Sequence, residues 1–407
     1  VTKLTILTYI SNYLPGYKAG GALRSLANMV DQLGDEFDFR IVTSDRDLGD
    51  AGPYDDVEVD RWTRCGKASV FYQTPGVAGW RALHSSLQRL HIDLVYLNSL
   101  FCSTHTLRPL IQRRFGRLAP APVLLATRGE LSPGALQLKA FKKRTFLTVA
   151  KALRLYDNVI FQASSQHEEN DIRREFGDVK ISVASDVPGR GEPLLDVIPQ
   201  DDADTALRAV FLSRIAPKKN LLGALKMLKD VRVPLIYDIY GVIEDEAFWV
   251  ECQAVIQTLP PHVQACFQGS LRPEEVNGVL AQYDFFFFPT HGENYGHVIR
   301  EALAAGLPIL ISDQTPWRDL VAQNVGADLP LDVPEEFVAW IEAFAQLDAV
   351  QRQAMRAAAH VRGNDSQKAA SDIDANRNML YAAARNETFP SGLTTSQTAS
   401  LSNFPLG

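Results

Sequence analysis

A chain of 407 residues, 46% hydrophobic and 22% charged, is too long for one ordinary core, so two domains of roughly 150–200 residues are expected. No apolar run approaches the roughly 20 residues that cross a bilayer, which excludes a membrane-spanning helix. The net charge of −7 hides an asymmetry: residues 1–185 carry 24 Lys/Arg against 19 Asp/Glu, a net +5, and the remainder 17 against 29, a net −12. A basic first half implies an anionic partner there, and nucleic acid is not expected. Cys65, Cys102, Cys252 and Cys266 show neither CxxC nor His spacing, so reduced thiols and no structural zinc are expected. With no signal-peptide pattern at the start, a cytoplasmic protein is expected.

In chain order, the strands predicted in the first half are Leu4–Tyr9, Phe39–Thr43, Ser69–Gln73, Leu94–Asn98, Val123–Thr127, Asn158–Gln162 and Lys180–Ala184. Helical patterns fall between most of them, at Gly21–Leu33, Gly79–Leu90, Thr104–Phe115, Pro133–Leu155 and Ser165–Phe176. Alternation of this kind predicts a doubly wound parallel sheet. A stretch rich in Pro, Gly and Asp follows, and residues 186–206 read as a hinge between a first domain at 1–185 and a second at 207–370. The second domain restarts the pattern with strands Leu207–Leu212, Leu235–Tyr240, Val263–Gln268, Phe285–Phe288 and Ile309–Ser312. The fold class is therefore α/β, two Rossmann-like domains facing a cleft at the C-terminal strand edges. A last helix is placed at 371–390, returning to the first domain, and a Ser/Thr-rich, aperiodic tail at 391–407 reads as disordered.

Three local patterns carry chemistry. After the strand Phe285–Phe288 come His291, Gly292, Glu293, Asn294, Tyr295, Gly296 and His297, then an Ala-rich helix bearing Glu301 and closed by Gly306 and Pro308. Carboxylates accept hydrogen bonds from sugar and ribose hydroxyls, while loop amides and a helix N-terminus face an anion. Opening the second domain, Ser213, Arg214, Ile215, Ala216, Pro217, Lys218, Lys219 and Asn220 form a strand-to-helix turn. There Arg214 offers a planar fork, and Lys219 a point charge, to phosphate oxygens. In the loop after the first strand, Gly20 and Gly21 precede a helix and allow close backbone approach to a phosphate. The loop has neither the GxGxxG spacing of dinucleotide binders nor the GxxxxGK[ST] of a P-loop.

Taken together, Glu293-x7-Glu301, Arg214-x4-Lys219, Gly20-Gly21 and Tyr240-Gly241 resemble the retaining glycosyltransferases of family 4, which have the GT-B fold. The resemblance spans residues 4 to 320. It implies that Arg214 and Lys219 hold the donor diphosphate and stabilise the leaving group. Glu293 would contact the transferred sugar and Glu301 the ribose. Asn294, Tyr295, Gly296 and His297, with Gly20, Gly21, Tyr240 and Gly241, would complete the donor site. It further implies a reaction with retention of configuration and no metal cofactor, the cations standing where other glycosyltransferases use one. Many members place a His in the first domain's cleft. The corresponding stretches here offer Asn98, Arg128 and Glu130 as candidates for the acceptor and sugar face, with no choice among them. His105 reads as a helix-surface or half-buried imidazole.

The expected reaction moves a hexose from a nucleotide sugar, UDP ahead of GDP, onto a glycan or lipid-linked acceptor in surface polysaccharide or lipopolysaccharide assembly. Two rivals are a nucleotide-sugar epimerase of the same fold and a non-catalytic subunit of a glycosyltransferase complex. The helix predicted at 133–155 interleaves apolar residues with Lys139, Lys142, Lys143, Arg144, Lys151 and Arg154. It reads as a peripheral contact with an anionic membrane surface, or as an ordinary surface helix.

Overall fold

The computed structural model describes residues 3–137, 140–191, 193–194 and 206–387. Most of the second part of the expected hinge, the end of the helix placed at 371–390 and the tail at 391–407 lie outside these residues.

The first sheet has eight strands: β1 (Leu4–Tyr9), β2 (Phe37–Ser44), β3 (Trp62–Cys65), β4 (Ala68–Gln73), β5 (Leu94–Asn98), β6 (Val123–Ala126), β7 (Val159–Ala163) and β8 (Ile181–Val183). Their order is β3-β4-β2-β1-β5-β6-β7-β8, parallel throughout except for the β3–β4 hairpin at one edge. The second sheet has β9 (Leu207–Leu212), β10 (Leu235–Tyr240), β11 (Val263–Gly269), β12 (Phe285–Phe288), β13 (Ile309–Ser312) and β14 (Gly326–Leu329), all parallel, in the order β11-β10-β9-β12-β13-β14. Central strands are buried on both faces: every residue of β5, β6, β7 and β12 is buried, which is why they read as largely apolar runs, broken only by Asn98 and Gln162.

Strand order reverses between β1 and β5 in the first sheet and between β9 and β12 in the second. Loops leaving those strands diverge and open a crevice at the C-terminal edge, the place where α/β sheets take ligands. The Gly20-Gly21, Arg214–Lys219 and His291–His297 segments are the loops at these two switch points.

Helix Gly21–Leu33 buries Leu23, Leu26, Met29, Val30 and Leu33, one stripe at helical spacing against the first sheet. The last helix runs from Ser366 to Ala384, its N-cap Asp365 accepting a hydrogen bond from the Lys368 N–H. Met379, Leu380 and Ala383 enter the core of the first sheet, and Asn376 Nδ2 donates to Ser185 O at 2.7 Å. Tyr381 packs on Phe37 with ring centroids 4.8 Å apart.

Several boundaries differ from the sequence reading. The edge strands β3 and β14 were not anticipated, being only four residues long and partly exposed. The segment read as helix Thr104–Phe115 opens with a π-turn at Ser103–Leu107 before a regular helix, Arg108–Arg114. Within 133–155 the described helices are Pro133–Gln137 and Ala140–Ala152.

Candidate active site

The second-domain wall of the cleft is two loops stitched together. The carbonyl of Lys218 accepts from Thr290 Oγ1 at 3.1 Å and from the His291 N–H at 3.0 Å. Asn220 adopts the left-handed conformation (φ 56°) and caps helix Leu221–Leu228, its Oδ1 accepting from the Gly223 N–H. The same side chain donates through Nδ2 to Pro289 O at 2.7 Å. The loop after β9 is thereby fixed against the loop after β12. Across the seam, Lys219 Nζ meets Glu293 Oε1 at 2.5 Å, with the two side chains only 14% and 12% exposed.

Gly296 (φ +80°) turns the chain into helix His297–Ala304, and Trp317 Nε1 anchors the turn by donating to Tyr295 O at 2.7 Å. This helix faces Gly21–Leu33 across the domain boundary. His297 Nε2 lies 2.8 Å from Ser25 Oγ, and Glu301 Oε1 lies 3.2 Å from the Arg24 guanidinium. Burial pushes the His297 imidazole down to about 4, against the pull of Asp186 3.8 Å away. At Gly20 (φ +78°) a Cβ would come within 3.3 Å of Arg214 Nε, so a glycine allows the first-domain loop to lie against that guanidinium. Arg214 is 35% exposed and pairs with Glu244 at 2.5 Å. Gly20, Gly21, Arg214, Lys219, Glu293, Asn294, Gly296, His297 and Glu301 are thus brought to one seam.

The other anticipated residues are held by contacts of their own. The Tyr240 hydroxyl sits 3.1 Å from that of Tyr283, which donates to Asp238 Oδ2 at 2.9 Å. Gly241 (φ +149°) has a backbone reason: a Cβ there would lie 1.7 Å from Ser213 O. Tyr295 is buried, its ring 4.7 Å from that of His297. The acceptor-face candidates Asn98, Arg128 and Glu130 are each engaged by protein groups. Glu130 is spent on the loop after β5, accepting from Ser99 Oγ (2.8 Å), the Leu100 N–H (2.5 Å) and the Phe101 N–H (3.2 Å). Arg128 pairs with Asp186 and donates to Asn98 Oδ1 at 2.6 Å and to the Tyr96 hydroxyl at 3.0 Å. Arg128 and Asn98 thus share one polar cluster with Tyr96 and Asp186, while Glu130 is engaged separately by the loop after β5. His105 is buried, with its imidazole pushed down to about 4 by burial.

A cavity of about 680 Å³ lies between the domains. From the first domain Gly129, Glu168 and Asp171 line it, and from the second Lys218, His291 and Asn294. Glu168 and Lys218 were not singled out in the sequence. Glu168 is 3% exposed and accepts from Thr127 Oγ1 (2.5 Å), the Gly129 N–H (2.6 Å), the Ser164 N–H (2.8 Å) and Asn294 Nδ2 (3.0 Å). It ties the ends of β6 and β7 to the glutamate loop of the other domain. Ser165-x-x-Glu168 at a helix start reads as a capping box, but the carboxylate turns to Ser164 and the cleft. Burial lowers the Lys218 pKa; Glu293 opposes this, while Lys219 and Arg214 add to it.

With this geometry in place, comparison with known proteins is informative. Residues 199–361 match the family model described as glycosyl transferases group 1. The fold is GT-B. Sucrose-phosphate synthase from Thermosynechococcus elongatus superposes with a TM-score of 0.70 at 15% identity, covering 94% of this chain and 100% of that one. Anabaena HepE, solved in complex with UDP and glucose, gives a TM-score of 0.63 at 16% identity over 93% and 100% of the two chains. A GDP-mannose-dependent alpha-mannosyltransferase from Mycolicibacterium smegmatis is 32% identical over 114 residues, which is 28% of this chain. The match spans about a quarter (27%) of that relative's length.

Proposed function

We propose that this protein is a glycosyltransferase that moves a hexose from a nucleotide sugar to a glycan or lipid-linked acceptor, with retention of configuration and without a metal cofactor. The observation that carries the reading is the Lys219–Glu293 pair at the β9/β12 switch point, with Arg214 beside it under the Gly20 loop. The glycosyl transferases group 1 match over 199–361 encloses both loops and supports it.

In this reading the bond from the anomeric carbon to the diphosphate breaks while a bond to the acceptor hydroxyl oxygen forms. Negative charge grows on the departing phosphate, and Arg214 and Lys219 are cations set to stabilise it. The acceptor proton passes to the leaving phosphate on the same face, which accounts for retention without a protein nucleophile. Glu293 holds sugar hydroxyls and keeps Lys219 oriented; Glu301 takes the ribose hydroxyls. Asn294, fixed by Glu168, and the Gly20-Gly21 backbone close the donor site from either domain. Acceptor chemistry is assigned to the cavity lined by Glu168, Asp171 and Lys218.

UDP stands ahead of GDP as the nucleotide, supported by the likeness to a protein solved with UDP and glucose. The local identity to a GDP-mannose-dependent enzyme favours the second reading, GDP. Assembly of surface polysaccharide or lipopolysaccharide at the cytoplasmic face of a membrane is the proposed setting. Among the described residues no helix is long and apolar enough to cross a membrane. Phe141 (84% exposed) and Val149 (51%) on helix Ala140–Ala152, beside the exposed Lys142 and Arg144, support a peripheral contact.

A panel of UDP- and GDP-sugars in a thermal-shift assay tests the donor. The cognate nucleotide sugar raises the melting temperature by mass action. A flat response across the panel would overturn the reading. Release of an epimerised sugar from donor alone would replace transfer with the epimerase reading.

A further inference from the structure

A second, smaller cavity of about 190 Å³ lies down the domain seam, between helices Gly21–Leu33 and His297–Ala304 and closed by Gly189 and Arg190. Helical spacing sets His297, Arg300, Glu301 and Ala304 on the face that lines it. Arg300 is only 8% exposed. Yet among the described residues its guanidinium makes no ion pair and no hydrogen bond. The other two arginines of the cavity are satisfied: Arg24 by Glu301 at 3.2 Å and Arg190 by Asp31 at 2.7 Å. None of its nitrogens is sealed from solvent, so the guanidinium opens onto the cavity with donors free to meet an anion. Asn277 lines the same cavity, and its Oδ1 is buried without a donor.

We propose that this cavity binds a phosphate-class oxyanion on Arg300. The lining carries three arginines against one carboxylate, Glu301, which Arg24 covers. A planar guanidinium matches two phosphate oxygens at once. Free inorganic phosphate keeps a P–OH near neutral pH, and that hydroxyl donates to Asn277 Oδ1. The bridging diphosphate of a nucleotide sugar has no such hydroxyl, so the lining favours a separate anion over the donor's own phosphates. Because the cavity is built from both domains and the strap between them, its occupant bears on domain closure. This assignment does not rest on glycosyl transfer.

The test titrates inorganic phosphate into the full-length protein, with and without saturating UDP, reading affinity calorimetrically in wild type, Arg300→Met and Arg300→Gln. Losing a charge-assisted hydrogen bond weakens phosphate binding by about tenfold or more in both variants. Additive binding of phosphate and UDP supports a separate anion. Mutual exclusion, with Arg300→Gln weakening UDP as well, supports the same site filled by donor phosphate. Phosphate affinity unchanged in both variants, or no phosphate binding to wild type, overturns the proposal. UDP failing to bind at all would count against the proposed donor and leave the phosphate titration to judge this site.

Discussion

Lys219 and Glu293 lie 74 residues apart in sequence and 2.5 Å apart in space, joining the loops on either side of the topological switch in the second sheet. Both side chains are largely buried, so each is the other's main compensation. Truncating one leaves an uncompensated charge, and Lys219→Ala or Glu293→Ala is expected to cost about 3 kcal/mol of stability. Lys219→Met with Glu293→Leu removes both charges and should recover most of that loss in urea denaturation. Transfer from the cognate nucleotide sugar should stay at least about a hundredfold down in all three variants. Recovery of activity in the double variant would mean that the pair is structural only.

Gly20 gives a contact that can be dissected with a control. Its φ of +78° and ψ of −141° lie where only glycine is comfortable, and alanine should cost about 1–3 kcal/mol. The added Cβ would also press on Arg214 Nε, which it would meet at 3.3 Å. Gly177 has φ 74° and ψ −142° with nothing within 4 Å of a Cβ, so Gly177→Ala carries comparable strain with no such contact. The expected result is a lower melting temperature in both and a raised donor KM in Gly20→Ala alone. An equal KM in the two variants would remove the Gly20–Arg214 approach from the donor site.

The sequence exposed the framework and one wall of the cleft for a physical reason. Central parallel strands such as β5 and β12 must be apolar on both faces, and switch-point loops carry their Gly, Arg, Lys and Glu at short spacing, so both survive as local patterns. Glu168 and the contacts of Asn98, Arg128 and Glu130 were not legible in the sequence because their partners are distant along the chain. Glu168 finds Asn294 in the other domain. Glu130 turns back on the Ser99–Phe101 loop, and Arg128 goes to Asp186. Such long-range hydrogen bonds leave no periodicity. Edge strands β3 and β14 were missed because four half-exposed residues carry neither a run nor an alternation.

Membrane contact can be separated from bulk charge. Phe141 is 84% exposed on a helix that also shows Lys142 and Arg144 to solvent. Inserting one Phe contributes about 2 kcal/mol, and each cation about 1 kcal/mol, near an anionic surface. Phe141→Ser with Lys142→Ala and Arg144→Ala should therefore lower pelleting with phosphatidylserine-containing vesicles by about a hundredfold or more in partition coefficient. Wild-type protein that does not sediment with such vesicles would leave Ala140–Ala152 an ordinary surface helix.

The buried imidazole of His297 predicts a pH dependence with a definite sign. Burial moves it from 6.5 down to about 4, so between these values the unfolded chain takes up a proton that the folded protein refuses. Stability supplied by the neutral ring is full above about pH 6.5 and falls as pH drops towards 4, by about 3 kcal/mol across that range. His105, also pushed down to about 4, contributes a second loss of the same sign. Replacing His297 by Gln keeps a hydrogen-bonding group opposite Ser25 Oγ but removes the titration. Urea midpoints measured from pH 7 to pH 4.5 should then fall more gently in His297→Gln than in wild type. The residual slope should flatten again when His105→Gln is added. Parallel curves for wild type and His297→Gln would show that His297 does not set the acid limit of the closed seam.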